Sequence, residues 1–189
     1  MQDGKGSDWQ AILAKTDYAY QPIVNIHTGA AYGYEALLRR VEPAGFETIS
    51  AFFDQAYREA VLPAVHEALF RKALEKFSTL GWADQTKLFF NLDSRLFRCT
   101  SFPCEVDIRL PENLPYPEDT VCLEISERHE ICGADRLHEK LERLRKMGGR
   151  IAVDDFGTGF SALPLLYFAR PEYIKIDRFY IQDIEKDPN

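Results

Sequence analysis

The chain has 189 residues, 46% hydrophobic and 28% charged, with a formal net charge of −7. That balance describes a globular protein with one sizeable core, and it excludes the basic face that a nucleic-acid polymer needs. A small phosphorylated ligand stays open, because bound cations reverse a local field. No apolar run approaches the ~18–20 residues of a membrane span, so no membrane contact is expected of this segment.

Met1 to Ser7 is polar, with no hydrophobic signal core, and reads as a linker or tag. Residues 1–17 are assigned to that linker and a leading helix, and residues 18–189 to one domain. Tyr18 to Ile26 is rich in β-branched and aromatic residues and predicts a strand. His27-Thr28-Gly29 is a turn, and Ala30 to Leu38 a second strand, giving an antiparallel hairpin. Ile49, Phe52, Phe53, Ala56, Tyr57 and Ala60 repeat at helical spacing, as do Val65, Leu69 and Ala73 after Pro63. Leu88 to Leu92 is a short apolar strand. A loop with four prolines follows, from Arg98 to Asp119. Val121 to Ile125 predicts a strand, and Leu137, Leu141, Leu144 and Met147 mark a helix stopped by Gly148-Gly149. Ile151 to Asp154 is a strand, Ser161 to Phe168 a short helix and Tyr173 to Asp177 a strand, with no covering helix expected after it. After the hairpin, strands alternate with helices, which means parallel strands with crossover connections.

Each strand end carries a polar group. They are Glu35, then Asn91, Glu124, the pair Asp154-Asp155, and Lys175 with Asp177. In a parallel β/α barrel these ends share one rim, where active sites lie. Glu, Asn and Asp offer oxygen ligands, which favour Mg²⁺, Mn²⁺ or Ca²⁺ over zinc. Arg39, after Leu38, suits an anionic substrate. Adjacent strand residues face opposite ways, so Asp154 and Asp155 cannot both point inward from a regular strand. The Gly157-Thr158-Gly159 turn is expected to swing Asp155 back. Lys175 and Asp177 are expected on one face, with Lys175 holding or deprotonating a water.

Gly157-Thr158-Gly159-Phe160-Ser161-Ala162 also fits a dinucleotide-binding fingerprint, with Asp177 at the usual distance. Two aspartates directly before it would repel a pyrophosphate, so that reading is set aside. Cys99, Cys104, Cys122 and Cys132 form no C-x-x-C pair and read as reduced thiols, with a Cys99–Cys104 disulfide left open. His27, His66, His129 and His138 are scattered and read as surface or satisfied core residues.

The chain resembles the EAL domain, the bacterial cyclic-di-GMP phosphodiesterase module. Tyr20-Gln21-Pro22-Ile23-Val24, Gly33-Tyr34-Glu35-Ala36-Leu37-Leu38-Arg39, Phe90-Asn91-Leu92, Leu123-Glu124-Ile125-Ser126-Glu127, Asp154-Asp155-Phe156-Gly157-Thr158-Gly159-Phe160-Ser161 and Ile174-Lys175-Ile176-Asp177 carry the resemblance, in the family's order. It implies a TIM-like β/α barrel with an antiparallel first strand, and metal-dependent hydrolysis of cyclic-di-GMP to linear pGpG. It implies a two-metal site for Mg²⁺ or Mn²⁺. Glu35, Asn91, Glu124 and Asp154 would hold the first metal, and Asp154 and Asp155 the second. Lys175 would contact the nucleophilic water, and Glu35, Asp155 and Lys175 would be the catalytic set. Gln21 and Arg39 would bind the dinucleotide. Asp177 is placed in the substrate site, with a metal-linked place as the alternative. The resemblance further implies a homodimer, cytoplasmic, with an upstream sensor or cyclase domain in a larger protein. Three departures stand out: Arg40 replaces a usual tryptophan, the usual Ala-Glu of the first helix is absent near Gln55-Ala56, and the last two strands, with a further glutamate and a glutamine, are missing. The expected fold is therefore a C-terminally incomplete barrel. The alternative reading is a catalytically inactive receptor of cyclic-di-GMP, or a protein-interaction module.

Overall fold

The computed structural model describes residues 6–81, 83–97, 117, 119–126, 134–157, 162–182, 184 and 186. The proline-rich loop (residues 117 and 119 apart), Thr158 to Ser161, Glu127, His129, Cys99, Cys104 and Cys132 lie outside them. Helix α1 (Trp9–Lys15) leads into β1 (Asp17–Val24) and β2 (Ala31–Arg39). Helices α2 (Ile49–Arg58) and α3 (Leu62–Ser78) precede β3 (Lys87–Leu92) and β4 (Val121–Ser126). Then α4 (Ala134–Lys146), β5 (Arg150–Phe156), α5 (Ala162–Ala169), β6 (Tyr173–Ile176) and the one-turn α6 (Arg178–Ile181) follow. Among the described residues no helix is long and apolar enough to cross a membrane.

Among the described residues, six strands form one sheet in chain order, with β1 antiparallel to β2 and the rest parallel. This is the expected hairpin followed by β/α units. Strands β1 and β6 are its two edges, so the sheet is an open part of a barrel. Several boundaries shift by one or two residues from expectation, and two of the shifts bear on the site. Strand β6 stops at Ile176, one residue before Asp177, and α6 follows it. Strand β5 continues through Asp155 to Phe156, by way of an irregularity in its pairing with β6.

Period-2 alternation splits every strand between two environments. One face of β3 and β4 sends Leu88, Phe90, Leu92, Val121, Leu123 and Ile125 into the main core, with Leu69, Phe70, Ala73 and Phe77 of α3. Each fully buried side chain of this kind contributes about 1.5–3 kcal/mol. The other face is the concave one. Its floor is Phe89, Cys122 and Ala152, with Ile23 and Tyr173 packed against them. Two residues further along the strands, on the same face, come Asn91, Glu124, Asp154 and Lys175. The apolar floor thus shuts water out from below the polar layer.

Gly33 makes that floor possible. A Cβ there would stand 2.8 Å from the Lys87 carbonyl oxygen and 2.9 Å from Cε2 of Phe89. The strands and the phenyl ring therefore meet only because position 33 has no side chain. Gly33→Ala is expected to lower stability by about 1–3 kcal/mol through overpacking. Urea denaturation of the purified protein checks this, and an unchanged midpoint would contradict it.

Candidate metal centre

Glu35, Glu124 and Asp154 arrive from β2, β4 and β5, and one carboxylate oxygen from each lies within 4.8 Å of the others. Lys175 of β6 stands in their midst. Its Nζ lies 2.9 Å from Glu35 Oε2, 2.8 Å from Glu124 Oε1 and 3.2 Å from Asp154 Oδ1. Asn91 Nδ2 donates to Glu35 Oε1 at 2.9 Å. The strand-end groups picked from the sequence therefore do converge.

Glu124 is fully buried, at 0% exposure. Lys175 is the partner of Oε1, while Oε2 has no hydrogen-bond donor among the described residues. A buried carboxylate with an unsatisfied oxygen is costly. Burial pushes its pKa up to about 8, against the pull of Lys175. Burial also raises Asp154. Burial alone would lower Lys175, but the charge of Glu124 and the hydrogen bond to Glu35 carry it well above the usual lysine range. A lysine so held stays charged at neutral pH. It can hold and orient a water by donation.

Asp155 reaches the site by its own backbone. It takes a φ of +54°, at the irregularity between Val153 and Phe156. Aspartate tolerates this left-handed conformation better than most side chains, and the bulge breaks the strict alternation of the strand. The expected device was the glycine turn. The swing occurs at Asp155 itself, with Gly157 left-handed after it at +104°. Asp154 and Asp155 both line a cavity of about 600 Å³, together with Gln21, Glu35, Arg39, Asn91 and Lys175. Gln21 faces Glu35 across the β1–β2 ladder, and Arg39 Nη1 donates to the Leu38 carbonyl oxygen at 2.9 Å.

The family model for the EAL domain matches residues 10–189. The chain belongs to the EAL domain family. Its sequence is 30% identical to the cyclic di-GMP phosphodiesterase PA2567 of Pseudomonas aeruginosa, over 89% of this chain and 29% of that protein. The EAL enzyme Bd1971, in its cAMP- and cyclic-di-GMP-bound form, superposes with a TM-score of 0.74 at 29% identity, over 95% of this chain and 50% of that one. A manganese and cyclic-di-GMP complex of Klebsiella pneumoniae BlrP1 gives a TM-score of 0.67 at 25% identity, over 90% of this chain and 42% of that one. This EAL domain spans between 20% and 34% of the length of the first curated relatives it matches.

Asp177 of the EAL domain is not in the cavity wall as expected. Its carboxylate caps α6, accepting from Phe179 N at 2.7 Å. Its place just past the last paired residue of β6 turns the chain into a helix, so it no longer shares a strand face with Lys175.

A support beside the site has almost no signature in the sequence. Arg95 Nε and Nη2 bind Asp93, Nη1 reaches Asp54 of α2 at 2.6 Å, and the guanidinium covers the Tyr57 ring at 5.0 Å. His66 of α3 is buried, and its Nε2 accepts from Asp93 N at 3.2 Å. This pins the backbone two residues after Asn91. The only signal was Asp93-x-Arg95, a spacing too common to single out.

Two outcomes follow from these charges. Lys175→Met strands three carboxylates together and is expected to lower the stability of cation-free protein by about 3 kcal/mol. Equilibrium denaturation in EDTA checks it. Burial lowers the His66 pKa to about 4, from 6.5 when unfolded. Between those values the unfolded chain holds the extra proton, so stability present above pH 6.5 is lost as pH falls towards 4. The loss reaches about 3 kcal/mol, and His66→Leu is expected to flatten the pH dependence of the melting temperature over that window.

Proposed function

We propose that this EAL domain hydrolyses cyclic-di-GMP to linear pGpG, using two divalent cations, Mg²⁺ or Mn²⁺. One observation carries the reading: Glu124, fully buried and with an oxygen that no donor reaches among the described residues, lies beside two other carboxylates around a single lysine ammonium. Such a pocket is built to hold positive charge, and its all-oxygen donors suit a hard cation. Glu35, Asn91, Glu124 and Asp154 would hold the first cation, with Asp154 and Asp155 at the second. Bound there, divalent cations lower the pKa of a water and offset phosphate charge.

The chain's own groups supply the rest. Lys175 donates to the attacking water and sets its direction. Asn91 fixes the Glu35 carboxylate through its amide hydrogen bond. Gln21, opposite Glu35, and Arg39, at the end of β2, contact the dinucleotide, Arg39 through a phosphate. In the hydrolysis the water oxygen bonds to phosphorus, the bridging P–O3′ bond breaks, and the departing 3′ oxygen takes a proton. Asp177 is left out of this set, because its carboxylate is committed to α6. The activities and ligands of the relatives support the substrate assignment. By the same reading the domain is a cytoplasmic, homodimeric module of a larger signalling protein, in keeping with the small share of its relatives that it spans.

Incubation with cyclic-di-GMP and Mn²⁺, with products separated by ion exchange, tests the activity. Wild type is expected to form pGpG. Glu35→Ala and Glu124→Gln are expected to lower the rate by about 100-fold, in line with lost metal ligation. Tight binding of cyclic-di-GMP with no product at any cation concentration would instead make the domain a receptor.

A further inference from the structure

Asp155 reaches the cavity in a left-handed conformation, and a contact from α6 bears on the residues directly after it. Tyr180, the third residue of that helix, donates its hydroxyl to the Gly157 carbonyl oxygen. Its ring covers Gly157 so closely that a Cβ there would stand 2.6 Å from Tyr180 Cε2. Gly157 has a φ of +104°, so the ring rests on a backbone that only glycine adopts freely. On the other side, Asp177 N donates to the Phe156 carbonyl oxygen at 3.3 Å, and Phe156 pairs with Ile176. The Phe156-Gly157 segment is thus gripped twice, by β6 from the side and by Tyr180 at its end.

We infer that Tyr180 is a positioning residue: it latches the turn after β5 and so holds Asp155 on the same side as Asp154. Released, residues 155–157 relax towards regular extended backbone, and Asp155 turns to the face opposite Asp154. The contacts of Tyr180 on this turn are with the Gly157 backbone. Its ring is 53% exposed, so its contribution to the core is small. The inference rests on the metal-centre reading for its consequence, but not for the latch itself.

The test compares wild type, Tyr180→Phe and Tyr180→Ala in the full chain, by two readouts. One is the backbone amide signal of Asp155 and Gly157 in metal-free protein, by NMR. The other is Mn²⁺ affinity, from the EPR signal of free Mn²⁺. The latch predicts shifted Asp155 signals in both variants, larger in Tyr180→Ala. It also predicts Mn²⁺ binding about tenfold weaker in Tyr180→Ala, an intermediate value in Tyr180→Phe, and a metal-free melting temperature close to wild type. Unchanged Asp155 signals in Tyr180→Ala overturn the latch, as does unchanged Mn²⁺ affinity when wild type binds. Wild type that binds no Mn²⁺ sinks the metal-centre reading instead. The latch is then judged on the amide signals alone, which support it if shifted and overturn it if not.

Discussion

Everything at the concave face follows from one constraint: Glu124 carries a carboxylate where water cannot reach it. Burial of this kind costs several kcal/mol per ion unless charge and hydrogen bonds repay it. Here the charge is Lys175, beside Oε1, and Oε2 has no donor among the described residues. The lysine can offer one proton to each of the three carboxylates, but it brings a single positive charge to them. The layer is therefore held together but under-satisfied, and its natural complement is more positive charge supplied from the cavity.

The fold serves this constraint. Strands in chain order bring Glu35, Glu124, Asp154 and Lys175 to one level, though they are separated by up to 140 positions in sequence. The Phe89, Cys122 and Ala152 floor keeps the level dry from beneath, and the bare Gly33 lets that floor close. Around the rim, the Arg95 network ties the end of β3 to α2, and His66 ties it to α3. Rigid supports of this type matter because binding constellations tolerate only small displacements of their donors.

Much of this was legible in the sequence, for identifiable reasons. Strand and helix order followed from hydrophobic periodicity, and the convergence of Glu35, Asn91, Glu124, Asp154 and Lys175 from their shared place at strand ends. What failed to read out was backbone detail at the margins. Asp154-Asp155 signalled a conflict with strand alternation, but not that Asp155 would resolve it by adopting a left-handed φ. Asp177 looked like a strand residue because Ile174-Lys175-Ile176 alternates so cleanly, yet aspartate is also a preferred helix cap, and the cap won. Arg95 and Tyr180 act through partners 41 and 23 positions away, which no local pattern encodes.

Anomalous X-ray diffraction from crystals soaked in MnCl₂ tests the central claim most directly. The account predicts a manganese peak among Glu35, Glu124 and Asp154, with Lys175 Nζ withdrawn from Glu124. A clean map with no peak at millimolar Mn²⁺, and Lys175 still paired to all three carboxylates, would contradict it.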